Sequence, residues 1–174
     1  MVLTEDRQAE LTDFARGIRE AIITMLYEVQ SGHPGGSLSC VEILTALYLE
    51  EMNLSHKQID DPNRDRMVLS KGHACPALYA VLAELGVVSK QELSNLRQLG
   101  SPLQGHPDMN ELPGVEMSSG PLGLGLSVGL GMALTAKLDA RPYRVYVLLG
   151  DGELQEGIIW EAAMCAAKYK ADNL

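Results

Sequence analysis

Three of the four histidines directly follow a glycine: Gly32-His33-Pro34, Gly72-His73-Ala74 and Gly105-His106-Pro107. With 17 glycines in 174 residues, chance would place a glycine before about 0.4 of four histidines. An imidazole donates, accepts and changes charge near neutral pH, and a neighbouring glycine lets backbone approach a ligand closely. One such histidine reads as a turn residue bonded to nearby backbone. Three together point to a ligand, for which they could supply general acid–base or oxyanion chemistry, or as a set ligate zinc. The fourth, His56 in Ser55-His56-Lys57-Gln58, reads as solvated.

A second constellation is Gly150-Asp151-Gly152, directly after the apolar run Tyr143–Leu149. In an open α/β sheet the carboxyl ends of the strands are where ligands bind. An aspartate there can hold Mg²⁺, which in turn bridges phosphate oxygens. The flanking glycines free backbone N–H groups to face phosphates, and a following helix N-terminus would add its dipole. The plainer reading of the same tripeptide is a tight strand-to-helix turn. Glu153 reads as an ordinary first-turn acid favoured by that dipole. Glu156, one turn in, and Glu161 can both face an interface.

Other chemistries fall away. Gly123-x-Gly125 starts like a dinucleotide loop, but Val128 stands where the third glycine belongs, and no strand leads into it. No P-loop, HExxH, GxSxG elbow or Cys–His nucleophile spacing occurs.

The elements that must position these residues follow from periodicity. Leu11, Phe14, Ala15, Ile18, Ile22, Met25, Leu26 and Val29 recur at helical spacing and predict one long amphipathic helix over 4–30, with Thr4 as N-cap. Ser31–Gly36 breaks it. Ser39-x-x-Glu42 is a capping box for a second helix to about Glu51, and residues 60–63 make a turn. Residues 66–69 form a short strand candidate. Pro76 and Gly86 bracket a third helix, and Ser89-x-x-Glu92 caps a fourth that stops at Gly100. Residues 101–120 read as a loop long enough to be functional. A Gly-rich helix follows, whose glycines allow close backbone packing. Residues 143–149 read as a buried parallel strand, and a helix runs from about Gln155 to Lys168. Helices alternating with a few short strands predict an α/β domain over 1–174.

Composition narrows the function classes. Fourteen Lys and Arg against 23 Asp and Glu give a net charge of −9, so neither nucleic acid nor an anionic membrane surface is an expected partner. An anionic ligand needs locally arranged donors or a metal ion. Cys40, Cys75 and Cys165 are odd in number and lack a CxxC spacing, which fits a reducing cytoplasm better than a disulfide framework. The acidic N-terminus is unlike a secretory signal. Met117–Ala136 is charge-free over twenty residues, yet its glycines and serines make it a buried helix rather than a membrane span.

The motifs SGHPGG (31–36), DRMVLSKGHACPALYA (65–80), LRQLGSPLQGHPD (96–108), PGVEMSSGPLGLGLSVGLGMA (113–133) and LLGDGELQEGIIWEA (148–162) stand in the order seen in transketolases. From about residue 10 onward the chain resembles the N-terminal, diphosphate-binding half of a transketolase, which in some organisms is a separate subunit. Deoxyxylulose-phosphate synthases share GDG but differ in their histidine motifs.

The resemblance implies a thiamine diphosphate-binding fold, a parallel sheet flanked by helices, incomplete at the C-terminus. It implies transfer of a two-carbon ketol unit between sugar phosphates, with thiamine diphosphate as electron sink and Mg²⁺ (or Ca²⁺ or Mn²⁺) as metal. Asp151 would ligate the metal; Gly152 and His73 would contact the diphosphate; and Gly120, Pro121 and Leu122 would border the cofactor rings. His33 and His106 would line the substrate channel, and Glu156 and Glu161 would join a network between the two active sites of a dimer or heterotetramer.

Two departures matter. The family's second metal ligand is an asparagine about thirty residues beyond the aspartate, whereas the only asparagine after Asp151 is Asn173. The glutamate that activates the cofactor belongs to the pyrimidine-binding domain, so a C-terminal partner subunit is expected and activity of this chain alone is not. Two other readings stay open: a non-catalytic module binding thiamine diphosphate or a partner, and a metal hydrolase built on His33, His73 and His106.

Overall fold

The structure, a computed structural model, describes residues 3–54 and 59–174; His56 lies outside them. Thr4 opens α1 (Glu5–Val29) by accepting the Arg7 N–H at 3.3 Å, and Glu5 and Asp6 occupy its first turn. Ala15, Ile18, Ile22 and Met25 form its buried stripe, each full-size aliphatic there contributing about 1.5–3 kcal/mol. Gln30 ends the helix in the left-handed region, at φ 51°.

The expected break at 31–36 is only three residues wide, because Pro34, suited to a first helical turn, starts the short helix α2 (Pro34–Leu38). The Ser39–Glu42 capping box is not made. Ser39 Oγ donates to Gly36 O at 3.1 Å, Glu42 pairs with Arg19, and α3 (Val41–Ala46) begins after Cys40 and continues as a π-turn to Glu51.

Strand β1 (Arg66–Leu69) runs straight into Ser70-Lys71-Gly72-His73 and α4 (Cys75–Glu84). Pro76 lies in the first turn of α4, and Gly86 follows at φ +76°. Residues 75–83 are all buried, as befits a helix apolar on every face. The expected fourth helix is a 3₁₀ turn, Lys90–Asn95: Ser89 accepts the Glu92 N–H at 3.3 Å, but Arg97 turns to φ 62° and donates its N–H to Leu103 O at 2.8 Å. After the long loop come α5 (Leu124–Leu138), β2 (Val145–Leu148) and α6 (Gly157–Lys168).

β1 and β2 pair in parallel, with Arg66 opposite Val145 and Leu69 opposite Leu148. Because strand side chains alternate, Met67, Leu69, Tyr146 and Leu148 face a core built from α1, α3 and α4. Val68, Val145 and Val147 face a second, smaller core with Ala133, Ala136 and Tyr143. Helices thus cover both faces of a parallel sheet, as expected for an α/β fold. The second strand is shorter than the expected 143–149 and only its first residue is fully buried. Its other edge receives one bond: Val145 N–H donates to Asn173 O at 2.8 Å.

Gly125 and Gly129 explain how α5 sits so close to that sheet. A Cβ on Gly125 would collide with the Ser70 side chain and stand 2.8 Å from Ser70 Cα, and one on Gly129 would collide with Val147. Among the described residues no helix is long and apolar enough to cross a membrane.

Candidate active site

The three Gly-His units converge at the carboxyl end of β1. His33 caps the start of α2, and its carbonyl accepts from Ser37 N at 3.2 Å and Ser37 Oγ at 2.9 Å, which fixes the turn. Its ring meets the His73 ring edge to face, centroids 5.2 Å apart. His73 lies against Gly36, where a Cβ would stand 3.1 Å from its ring. Gly72 leaves room on its other side for Ser119 and for His106, whose Cδ2 would be 3.2 Å from a Cβ there. The glycines are therefore what allow three imidazoles to share one corner.

His106 rides on the 101–120 loop, which α4 holds by its backbone. Tyr79 Oη donates to Gln104 O at 2.8 Å and Cys75 Sγ to Gly105 O at 3.2 Å. Buried Arg64, with Arg66, pairs with Glu116 further along, and Ser119 N–H donates to Pro107 O at 3.2 Å.

Burial first, then the neighbouring His33, Lys71 and His106, push the His73 imidazole below its ordinary value, with Glu153 opposing. Desolvation, then Arg97 and His33, push His106 the same way. Both rings favour the neutral form, in which one nitrogen donates and the other accepts. Among the described residues no group of three or more His, Cys, Asp or Glu is arranged to hold a metal ion. The three imidazoles are adjacent without forming such a group.

Beside His73 opens a cavity of about 390 Å³ lined by Gly35, Gly36, Ser39, Lys71, Leu122 and residues 150–153. It joins both constellations of the sequence. Asp151 and Gly152 are exposed at its edge, beyond the end of β2. The turn after Asp151 is a single 3₁₀ turn, Gly152–Gln155, and α6 begins only at Gly157. The N–H groups that follow the aspartate therefore belong to a turn, not to the start of a long helix. Glu156 is the N-cap residue of α6 rather than one turn into it, packed beside Gly123; Glu161 lies further along α6, and both are exposed. Pro121 and Leu122 are exposed before α5, and Gly120 is partly exposed.

Two residues of this site carry no sequence signal. Lys71 is 7% exposed, and its ammonium donates to Gly36 O at 3.0 Å and Ser39 Oγ at 3.2 Å. Glu153 is not a solvated first-turn acid but 3% exposed. Its Oε1 accepts from Ser70 Oγ at 2.5 Å and Gly123 N at 2.7 Å, and its Oε2 from Gly150 N at 2.9 Å. Neither was visible locally, because Lys in a loop and Glu after a strand are ordinary, and Ser70 lies 83 residues from Glu153.

A diphosphate fits this cavity chemically. One buried ammonium supplies positive charge inside an acidic chain. An added Cβ at Gly35 or Gly152 would meet nothing within 4 Å, so bare backbone borders the space. Beside Gly72 and His106, outside the lining of this cavity, Ser119 Oγ is buried without a hydrogen-bond partner. For a divalent cation the donor set here is thinner, with Asp151 the one carboxylate at the exposed edge. Asn173 cannot supply the second ligand. Its Nδ2 donates to Ala133 O at 3.0 Å, and it lies beside Val145 at the start of β2, the opposite end of that strand from Asp151.

A parallel sheet covered by helices, with glycine-rich turns and a polar cavity at the strands' carboxyl ends, is the arrangement of a ligand-binding α/β fold. Residues 12–174 match the family described as "Transketolase, thiamine diphosphate binding domain". The chain belongs to that family. It is 47% identical over 156 residues to one of the subunits of the apulose-4-phosphate transketolase of Phocaeicola vulgatus, covering 90% of this chain and 55% of that protein. It is 46% identical over 165 residues to the human transketolase, covering 94% of this chain and 26% of that one. The transketolase of Pichia stipitis in complex with sedoheptulose 7-phosphate superposes with a TM-score of 0.88 at 36% identity, over 94% of this chain and 26% of that chain. The chain thus spans a little over half of the apulose-4-phosphate relative and about a quarter of the other two transketolases.

Proposed function

We propose that this chain is the diphosphate-binding part of a transketolase divided between subunits, which moves a two-carbon ketol unit from a ketose to an aldose. The observation that carries this reading is that His73 and Gly150-Asp151-Gly152 line one cavity, with the His33 ring against His73 and His106 beside Gly72, in a chain whose family match runs from residue 12 to 174. Relatives named as subunits support the division. Besides the apulose-4-phosphate enzyme, a 6-deoxy-6-sulfo-D-fructose transketolase subunit of a Clostridium species is 43% identical over 169 residues, 97% of this chain and 62% of that protein. Both named sugars are ketoses carrying an anion, which is the substrate class proposed here.

Thiamine diphosphate, when bound, supplies the electron sink for cleavage of the ketose carbon–carbon bond. In this reading Lys71, His73 and the Gly152 N–H would hold the diphosphate, and Asp151 would hold a divalent cation such as Mg²⁺. Gly120, Pro121 and Leu122 border the rings. His33 and His106, both solvent-accessible, donate hydrogen bonds to sugar hydroxyls and to oxygen atoms that gain negative charge, a role suited to imidazoles. Glu156 and Glu161 face the second subunit, where Glu156 takes part in proton movement between sites. The partner subunit supplies the cofactor-activating acid, and the assembly works in the cytoplasm.

The test is ketol transfer from xylulose 5-phosphate to ribose 5-phosphate with thiamine diphosphate and Mg²⁺, measured with the chain alone and with the product of the adjacent reading frame. Activity confined to the mixture is the expected result. Unchanged turnover by the mixture after His33→Ala, or none under any condition with any anionic ketose, would leave a cofactor- or partner-binding module instead.

A further inference from the structure

Resting on the thiamine diphosphate reading, we propose that Glu153 is a positioning residue that sets the cofactor cradle by tying three separate segments to one carboxylate. Those segments are the end of β1 through Ser70, the turn before α5 through Gly123 N–H, and the Gly150–Gly152 turn through Gly150 N–H. Each borders a different part of the proposed site. Ser70 is followed by Lys71 and His73 on the diphosphate side, Gly123 follows the ring-bordering residues 120–122, and Gly150 precedes the metal-holding Asp151.

The chemistry of the tie uses the whole carboxylate. Such a group accepts at both oxygens, and here both accept, one of them twice. Ser70 Oγ extends the chain by accepting the Gly125 N–H at 3.2 Å, so the start of α5 is drawn in as well. Gly125 has no side chain to keep Ser70 away, and Gly123 adopts φ +90°, where a side chain would also strike Glu156. Glu153 borders the cavity at only 3% exposure and, in this proposal, touches no substrate. It acts through the loops it holds, so its loss spreads to the cofactor rather than to the reacting atoms.

Glu153→Gln keeps size and shape but replaces one acceptor by an NH₂ group. Whichever way the amide is turned, that group faces a backbone N–H, of Gly150 in one orientation and of Gly123 in the other. The experiment uses the complete native chain together with its partner and follows two quantities. One is the thiamine diphosphate dissociation constant by calorimetry at saturating Mg²⁺. The other is the rise in melting temperature that thiamine diphosphate and Mg²⁺ produce.

Glu153→Gln is expected to weaken cofactor affinity tenfold or more and to shrink the cofactor-induced rise, with kcat at saturating cofactor within about threefold of the parent. Ser70→Ala, which removes one donor, is expected to weaken affinity about threefold and serves if the glutamine variant does not fold. Gly129→Ala marks the purely structural outcome: it sits against Val147 away from the cavity, and lowers the melting temperatures of free and loaded protein equally. Glu153→Gln behaving like Gly129→Ala, with affinity within twofold, overturns the proposal. The two layers separate cleanly: no cofactor binding by the parent protein, or unchanged binding by Asp151→Asn, overturns the cofactor reading itself.

Discussion

The imidazoles of His73 and His106 make the site sensitive to acid in a predictable direction. Both titrate below their ordinary value in the folded protein, whereas in the unfolded chain they return to about 6.5. Above that pH neither state carries the proton, and these groups leave stability unchanged. Below it the unfolded chain binds protons that the folded chain refuses, so stability falls as pH drops from 6.5 toward the folded values. His106→Asn is expected to flatten the decline in melting temperature between pH 7 and 5.5. A profile parallel to the parent would mean that the ring is not shielded by the Gly72–Ser119 wall. On the reaction, His33→Ala is expected to lower kcat/KM about 10²–10⁴-fold, the usual range for a lost acid–base or hydrogen-bonding group, with thiamine diphosphate affinity retained in calorimetry. At this scale the sequence was readable where chemistry depends on a local pattern. Each Gly-His pair advertises itself, but Lys71 and Glu153 acquire meaning largely from partners 30 to 83 residues away.

Helix α5 shows how one residue type serves opposite ends along the same element. A glycine in a helix interior is unfavourable by roughly 0.5–1 kcal/mol relative to alanine, so replacing it should stabilise wherever space exists. At Gly131 an added Cβ meets nothing within 4 Å, and Gly131→Ala is expected to raise stability by about 0.5–1 kcal/mol. At Gly125 the new methyl would press on Ser70 backbone and side chain. Gly125→Ala is therefore expected to destabilise by about 1–3 kcal/mol, as overpacking does. Paired urea titrations read both signs in one experiment. The sequence predicted close packing by this helix without distinguishing the two glycines, because the distinction lies in what faces them. It located both strands from short apolar runs, α1 from its period and α4 from the bracketing Pro76 and Gly86. It erred where a capping pattern met stronger tertiary partners: Arg19 takes Glu42 away from the Ser39 box, and the Arg97 turn ends the 3₁₀ segment early.

Across the molecule, the outer side of α6 presents large exposed apolar side chains near the site. Trp160 is 58% and Met164 68% exposed, while Trp160 Nε1 donates to Leu154 O at 2.9 Å, which orients the indole. With Glu156 and Glu161 on the same short stretch, this surface is the expected seam with a second subunit. Trp160→Glu is expected to lower the assembled mass in light scattering by at least one subunit while leaving the far-ultraviolet circular dichroism unchanged. An unaltered mass would move the seam elsewhere.

The three thiols differ sharply in reach. Cys40 and Cys75 are buried; burial holds the Cys40 thiol above its ordinary value, and that of Cys75 is pushed up to about 12. Thiolates are the reactive form, so neither inner cysteine competes for a reagent while the protein is folded. Cys165 is half-buried on α6, one turn beyond Glu161. A maleimide dye should therefore attach once per native chain and three times in urea. A single fluorophore placed this way, without any mutation, would report on the proposed seam by its change in colour or brightness as subunits meet.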